Sequence, residues 1–274
     1  MSSSSNRPRR ATERLSDLQT LAYTEDSAGV GTLALSHPPV NALGRRLVEE
    51  LGEALEVLAA DGSVRTLVVT GKGRTFCAGA DLKERQSMSE AEVRTFVSAL
   101  SRTCADLASL PFPTIAAING TAAGGGCELA LACDFRLLDA SGRIGLPETT
   151  LGIVPGAGGT QRLPRLIGPS RAKKWIFSGR LFTAKEALAD GVIDGIAPRE
   201  SLLEAAAEMA AGMAHAAPLA VRAAKRAIDA ALGLSLGEGL AMEQQAYEDI
   251  LGTEDRREAL AAFREKRPPI FKGR

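Results

Sequence analysis

Short β-branched runs alternate with amphipathic runs along the first half of the chain, and this alternation most restricts the folds open to it. Residues 30–36, 66–70 and 114–118 have the composition of strands. Residues 45–60 and 90–110 repeat apolar side chains at helical spacing. Strands that alternate with helices in this way predict an α/β architecture.

The sequence changes character after Pro155, where alanine-rich helical segments follow one another with few strand-like runs between them. Pro218 fits the first turn of one of these helices, and Thr253 fits the N-cap of the last. We therefore divide the chain into a disordered Ser/Arg-rich tail at residues 1–18, a core at 19–199, and a helical region at 200–274 that serves assembly. The predicted helices are residues 184–190, 202–214, 218–231 and 254–266.

The composition argues against nucleic acid, membranes and disulfides. The chain carries 33 acidic and 33 basic side chains, so it has no net positive field that would collect polyanions or anionic lipid. No apolar run approaches the roughly 18 residues that a membrane span requires. The four cysteines form no C-x-x-C pair, and a chain of 274 residues does not need disulfides to be stable. Reduced thiols and a cytoplasmic location are expected.

A run of three glycines, Gly124, Gly125 and Gly126, follows a predicted strand and opens a helix. Backbone N–H groups at such a helix start approach a ligand closely, and the positive end of the helix dipole favours an anion or an oxyanion. Glu128 follows within one turn and is a candidate acid or base. The alternative is that the glycines only permit tight packing and that Glu128 only complements the dipole. A phosphate loop is disfavoured, because the G-x-x-x-x-G-K-[ST] spacing is absent.

Four sequence blocks resemble the enoyl-CoA hydratase (crotonase) family, and they occur in the family's order. They are FCAGADLKER at residues 76–85, the block at 115–138 that contains the glycine run, LPETTLGIVPGAGGTQRLPRLIG at 146–168, and AAFREKRPPIFKG at 261–273. The last block most resembles the branch that contains the methylglutaconyl-CoA hydratases. The resemblance covers essentially everything after about residue 20.

The resemblance implies a crotonase-type ββα spiral with a C-terminal helical region, assembled as a trimer or a dimer of trimers. It implies that the backbone N–H groups of Ala80 and Gly125 hold the thioester carbonyl oxygen, and that Glu128 and Glu148 are the catalytic carboxylates. We assign Glu128 to water and Glu148 to the proton that C2 receives. By its spacing alone, Glu148 would be interpreted as a surface acid after Pro147.

The resemblance also implies a set of contacts with the coenzyme A thioester, which is the substrate; no metal or other cofactor is expected. Lys83 is equally well explained as a solvated lysine. Phe263 and Lys266 are equally well explained as a helix-end aromatic and a dipole-complementing cation. These two would reach the coenzyme of a neighbouring subunit. The set is Ala78, Asp81, Leu82, Lys83, Gly124, Pro155, Gly156, Phe263 and Lys266.

The expected function is addition of water across the 2,3 double bond of a 2-enoyl-CoA, giving a 3-hydroxyacyl-CoA. A methylglutaconyl-CoA hydratase and an enoyl-CoA isomerase are the enzymatic alternatives, and retention of both glutamates favours hydration. A catalytically idle scaffold is disfavoured by the same set. RNA binding is also disfavoured, because the segment at residues 44–65, which is lysine-rich in an RNA-binding relative, is acidic here.

Overall fold

The structure is a computed structural model that describes residues 11–274, and it shows strands and helices in alternation up to residue 199. The strands are β1 (Leu21–Glu25), β2 (Val30–Leu35), β3 (Thr66–Gly71), β4 (Thr114–Ile118), β5 (Thr121–Ala123), β6 (Phe135–Asp139), β7 (Arg143–Gly145), β8 (Phe182–Thr183) and β9 (Gly195–Ala197). The α-helices are α1 (Ala11–Arg14), α2 (Arg45–Ala60), α3 (Leu82–Gln86), α4 (Glu90–Ala108), α5 (Gly125–Ala132), α6 (Gly159–Ile167), α7 (Pro169–Ser178), α8 (Ala184–Asp190), α9 (Leu202–Ala214), α10 (Pro218–Ala231), α11 (Leu236–Leu251) and α12 (Glu254–Glu265). A 3-10 helix spans Glu148–Leu151.

The strands form two sheets. The larger has six strands in the order β1-β2-β3-β4-β6-β9, and all of its pairs are parallel except β1 with β2. The smaller has three strands in the order β5-β7-β8. Every residue of β3 and β4 is buried, which explains why these strands are continuous β-branched and apolar runs rather than alternating ones.

Helices cover both faces of the six-stranded sheet. Leu47, Leu51 and Leu55 of α2 belong to the larger apolar core, which also includes Leu33 and Leu67. On the other face, Leu202, Ala206 and Ala210 of α9 pack in a second cluster with residues of β3, β4 and β6. The helix α9 is therefore part of the core layer, so the predicted division at residue 200 falls before a helix that belongs to the sheet. The outlying helical region begins at Pro218.

The predicted bounds of α2, β4, α8, α9 and α10 agree with the structure, and Pro218 occupies the first turn of its helix as predicted. Thr253 caps α12, because its hydroxyl accepts a hydrogen bond from the backbone N–H of Arg256. The helix α11, the strand β1 and the three-stranded sheet were not predicted. None of the helices described for residues 11–274 is long and apolar enough to cross a membrane.

The predicted disordered tail needs correction at its end. Residues 1–10 lie outside the described residues. Residues 11–18 include the short helix α1, and Ala11 and Leu15 are buried in the larger core. The backbone N–H of Ala11 also donates to a carboxylate oxygen of Asp61 at the end of α2. These contacts give the segment an ordered place that its composition does not indicate.

Candidate active site

The segment at residues 77–80 lies directly against β5 and the start of α5. The backbone N–H of Cys77 donates to the carbonyl of Thr121 at 3.1 Å, and the N–H of Ala123 donates to the carbonyl of Cys77 at 3.0 Å. A Cβ atom on Gly126 would stand 2.3 Å from the Cys77 carbonyl oxygen, where no side chain fits. The glycine at position 126 therefore allows the two segments to meet, so the packing explanation of the glycine run is correct for this residue.

The two predicted oxyanion donors, the N–H groups of Ala80 and Gly125, come together at this junction. A Cβ built on Gly125 lies 3.9 Å from the Ala80 nitrogen, and one built on Gly79 lies 3.4 Å from the Gly125 nitrogen. Gly125 is the first residue of α5, so its N–H has no acceptor within the helix. Ala80 N–H has no protein acceptor among residues 11–274. The site thus offers two neighbouring unpaired donors.

Backbone contacts with Leu43 fix the direction of the Ala80 peptide. The N–H of Leu43 donates to the carbonyl of Gly79 at 2.8 Å, and the carbonyl of Leu43 accepts from the N–H of Asp81 at 3.0 Å. These bonds hold the residues on both sides of Ala80. Donors that are fixed before a ligand arrives need no reorganisation when charge develops on the oxygen they hold.

Glu128 stands in the first turn of α5 and is 2% exposed. Its Oε1 accepts hydrogen bonds from the backbone N–H groups of Ala157 and Gly159, at 2.7 and 2.8 Å. Burial raises the pKa of this carboxyl above its usual value, while the two N–H donors and the positive charge of Arg162 oppose the rise. No hydrogen bond to Oε2 exists within the described chain, so this oxygen is available to a ligand.

Glu148 is the first residue of the 3-10 helix and is 8% exposed. The interpretation from spacing alone, that it is a surface acid, is therefore wrong. Its Oε2 is buried and has no hydrogen-bond partner in the part of the chain that the structure describes. Burial raises the pKa of Glu148 from 4.5 to about 7, and the charge of Glu128 contributes to the rise. A Cβ on Gly124 would lie 3.1 Å from Glu148 Oε1, so this carboxyl lies beside the start of α5.

Gly124 is the N-cap residue of α5 and lies between the N–H donors and the Glu148 carboxyl. It has φ +54° and ψ −123°, a conformation that a side chain disfavours, and its N–H donates to the carbonyl of Gly145 at 3.0 Å. With this turn, α5 begins between the Ala80 donor and the Glu148 carboxyl. The start of one helix therefore brings two N–H donors and two carboxyls into one site, and such a set can hold a carbonyl oxygen and move protons beside it.

The neighbouring side chains are apolar. Leu43 and Leu100 are the side chains nearest to a Cβ built on Gly125, and Val97 is nearest to one built on Gly156. Pro155 is buried, whereas Gly156 is exposed. The contact with Val97 places Gly156 against α4.

Four more of the predicted coenzyme A contacts flank Ala80 in the sequence. Ala78, Leu82 and Lys83 are exposed. The Asp81 carboxylate caps α3 by accepting from the N–H groups of Lys83 and Glu84, which is a structural role in its own right.

Phe263 and Lys266 belong to the C-terminal helical region. They lie at the end of α12, where Phe263 is 84% exposed and Lys266 is also exposed. Their predicted role depends on a neighbouring subunit.

The histidines and cysteines play no part in the described site. His37 and His215 each place Nδ1 near a backbone carbonyl oxygen. Cys77 and Cys127 are buried, and burial raises the pKa of Cys77 to about 12 and that of Cys127 well above its usual value. These thiols are neutral packing groups.

The N–H donors of Ala157 and Gly159 were not predicted as partners of Glu128. The sequence signal was present in GAGG at residues 156–159, within the block at 146–168 that carries the family resemblance. Arg162 was not predicted as a site residue either. Among residues 11–274, no group of three or more His, Cys, Asp or Glu side chains is placed to hold a metal ion.

Comparisons with known proteins agree on one family. A sequence model described as enoyl-CoA hydratase/isomerase matches residues 25–274. The chain is 46% identical to a putative enoyl-CoA hydratase/isomerase, YngF, of Bacillus subtilis, over 93% of this chain and 98% of the relative. It is 44% identical to the mitochondrial methylglutaconyl-CoA hydratase of Homo sapiens, over 94% of this chain and 78% of the relative.

A solved structure also matches closely. The crystal structure of an enoyl-CoA hydratase from Bacillus anthracis superimposes with a TM-score of 0.91 at 47% sequence identity, over 93% of this chain and all of the other. This likeness confirms the fold class that the sequence predicts.

Proposed function

The chain belongs to the enoyl-CoA hydratase/isomerase (crotonase) family, and from this premise we propose that it is an enoyl-CoA hydratase. It adds water across the 2,3 double bond of a 2-enoyl-CoA thioester and gives the 3-hydroxyacyl-CoA. One observation carries the proposal: two buried carboxyls, Glu128 and Glu148, stand at the same helix start as the unpaired N–H donors of Ala80 and Gly125. Isomerisation needs one proton-transfer group, whereas hydration uses two, one that activates water and one that protonates C2.

The thioester carbonyl oxygen binds the two N–H donors, which stabilise the negative charge that develops there as C3 is attacked. Glu128 orients the water and takes its proton while the C3–O bond forms. Glu148 gives its proton to C2, so the π electrons of the double bond end in the new C2–H bond. Proton exchange with solvent then restores both carboxyls.

The environments of the two carboxyls support this division of roles. Two N–H donors hold Glu128 Oε1, which stabilises the ionised form that a base requires. Glu148 lacks a donor on Oε2, and its pKa of about 7 leaves a large protonated fraction at neutral pH. The charge of Glu128 adds to the rise in the pKa of Glu148, and neighbouring acids coupled in this way suit one base and one acid.

Product mass distinguishes hydration from isomerisation. With crotonyl-CoA in H₂¹⁸O, the proposed reaction gives a product that is heavier by one labelled water. A product of unchanged mass from a 3-enoyl-CoA, with no label taken up from any 2-enoyl-CoA, contradicts the proposal and identifies an isomerase. Backbone dipoles polarise the carbonyl in this mechanism, so dialysis against a chelator leaves the rate unchanged.

A methylglutaconyl-CoA hydratase is the second candidate, because the human relative carries that name and the C-terminal block FREKRPP resembles that branch. Comparing kcat/KM for crotonyl-CoA and 3-methylglutaconyl-CoA decides between them. A ratio that favours the branched dicarboxylic substrate by more than tenfold assigns the chain to the narrower activity.

For binding of the coenzyme, we propose that Ala78, Asp81, Leu82 and Lys83 form one side of the groove. Gly124, Pro155 and Gly156 face the acyl end. Exposure of Ala78, Leu82 and Lys83 beside the Ala80 donor supports this arrangement. Lys83→Ala raises KM for the thioester and leaves kcat nearly unchanged if Lys83 contacts a phosphate.

Assembly into a trimer or a dimer of trimers completes the proposal. Large apolar side chains on the last three helices are exposed in the single chain, among them Leu236 at 80% and Phe263 at 84%. We place Phe263 and Lys266 of one subunit at the coenzyme of its neighbour. Light scattering that gives the mass of one chain contradicts this arrangement.

The expected partners exclude nucleic acid and membranes, and the expected location is the cytoplasm. Glu49, Glu53 and Glu56 are exposed on α2, and Arg45 pairs with Glu84 and Glu92. Such a surface repels phosphates, so no gel shift with AU-rich RNA is expected at moderate salt. Four free cysteines suit a reducing compartment, and cell fractionation tests the location.

A further inference from the structure

Arg162, near the start of α6, connects three parts of the site without belonging to the catalytic pair. We propose that it is a positioning residue for Glu128: its guanidinium holds the loop at residues 157–159 that grips the carboxylate, and its charge favours the ionised form. This inference rests on the proposed function only where it concerns turnover.

The guanidinium bridges the loop and α4. Nη1 donates to the carbonyl of Ala157 at 2.9 Å, and Nη2 donates to the carbonyl of Cys104 at 3.2 Å. A Cβ atom on Gly158 would lie 2.0 Å from Nη1, and Gly158 has φ +110°. The guanidinium therefore occupies the space that a side chain at position 158 would take, and it fixes the loop to a helix that lines the site.

Ala157 is held on both of its polar sides. Its carbonyl accepts from Arg162, and its N–H donates to Glu128 Oε1 at 2.7 Å. Gly159, whose N–H is the second donor to Oε1, is the first residue of the same helix as Arg162. A shift of the guanidinium would therefore move the donors that orient the base.

The charge of Arg162 also supports a role in positioning and ionising Glu128. The titratable groups that interact electrostatically with Glu128 are Glu148 from the 3-10 helix, Cys104 from α4, Cys127 from α5 itself and Arg162 from α6. Burial raises the pKa of both thiols, so they are neutral near pH 7. Within residues 11–274, Arg162 has no ion pair with a carboxylate, and its charge lowers the pKa of Glu128. Loss of this charge is expected to raise the pKa of the base.

Two substitutions separate position from charge. Arg162→Gln keeps a side-chain donor and loses the charge, so the acidic limb of the pH profile of kcat/KM moves to higher pH. Arg162→Lys keeps the charge but cannot reach both carbonyls with a planar fork, so the limb moves to higher pH by less than in Arg162→Gln. In both variants we expect kcat for crotonyl-CoA to fall roughly 10- to 100-fold, the cost of a misplaced catalytic group. Arg165→Met is the matched control, because this exposed arginine on the same helix bonds, among residues 11–274, only to Gln161.

The deciding measurement is the titration of Glu128 itself by ¹³C NMR of protein labelled at the glutamate carboxyl, with Glu128→Gln to assign its signal. The inference predicts the highest pKa of Glu128 in Arg162→Gln, a smaller rise in Arg162→Lys, and the native value in Arg165→Met. It is overturned if Arg162→Gln titrates as the native protein does, or if Arg162→Lys shifts as far as Arg162→Gln. The titration needs no substrate, so failure of native protein to hydrate crotonyl-CoA counts against the proposed function alone.

Discussion

Two helices that both carry glycines in their first turn have opposite surroundings. All eight residues of α5 are buried, whereas Ala246 is the one buried residue described among the sixteen of α11. The glycines of α5 meet backbone of the same chain, and Gly126 could not carry a Cβ atom. On α11, Leu236, Leu240 and Tyr247 are more than half exposed.

The difference shows that the site around α5 is built within one chain, whereas α11 leaves apolar surface for a partner to cover. The site around α5 has its donors, its carboxyls and its apolar walls from one chain. The apolar surface of α11 has no such explanation within the chain, and exposed apolar side chains in this number are typical of an interface. Loss of assembly is thus expected to leave the donors and carboxyls around α5 in place and to remove only the coenzyme contacts that Phe263 and Lys266 of a neighbour would supply.

The largest effect is expected from Gly126→Ala. The new methyl group would stand 2.3 Å from the Cys77 carbonyl oxygen, which is backbone and cannot move aside as a flexible side chain could. We expect a loss of about 3 kcal/mol or more in the free energy of unfolding, measured by urea denaturation. A soluble, fully active Gly126→Ala variant would show that the α5 region is less tightly packed than described.

A charge on α11 tests the other side of the comparison. Leu240→Glu is expected to reduce the assembled mass in light scattering, at a cost of about 2 kcal/mol to association, because a carboxylate would be buried in an apolar contact. Gln244→Glu adds the same charge to the same helix at a polar position and serves as the control. An unchanged mass for Leu240→Glu would remove α11 from the interface.

Glu148 makes stability depend on pH. Its folded pKa of about 7 lies above the ordinary 4.5, so the folded state binds this proton more tightly than the unfolded chain. The resulting stability is present below pH 4.5 and is lost as the pH rises towards 7. The free energy of unfolding of Glu148→Gln, relative to that of the native protein, should therefore be higher at pH 8 than at pH 4.5. The increase is up to about 2 kcal/mol after allowance for solvent near the site. Equal differences at both pH values would place Glu148 in a wetter environment.

The smallest effect is expected from Gly212→Ala in α9. A Cβ there would meet nothing within 4 Å, and alanine stabilises a helix interior by about 0.5 to 1 kcal/mol relative to glycine. Thermal unfolding should show a slightly higher Tm with unchanged activity. A loss of stability would mean that a neighbouring subunit packs against this position.

Most elements were predictable because local pattern and burial agree. The strand β4 is a continuous apolar run because both of its faces are covered, and α2 repeats leucines on its buried face. The helix α11 was missed for the opposite reason. Gly237 and Gly239 weaken its first turn, and with one buried residue it has no periodic core face to detect.

The site residues also differ in how far the sequence alone could predict them. Gly125 and Glu128 stand three residues apart, so a helix start places them together and the sequence suggests their chemistry. The Ala157 donor lies 29 residues from Glu128, and Glu148 reaches the site only through the turn that follows β7. Such contacts depend on tertiary folding, so spacing alone left Glu148 as a surface acid, and only the family resemblance identified it.

The most direct test of the central claim is hydration of crotonyl-CoA, followed by loss of the conjugated thioester absorbance, for native protein, Glu128→Gln and Glu148→Gln. Both substitutions keep the shape of the side chain and remove its proton traffic. The two-carboxylate account predicts that native protein turns over and that each variant loses roughly a thousandfold or more in kcat, while both remain folded. A variant that retains near-native kcat would contradict the account, because hydration would then proceed with one carboxyl.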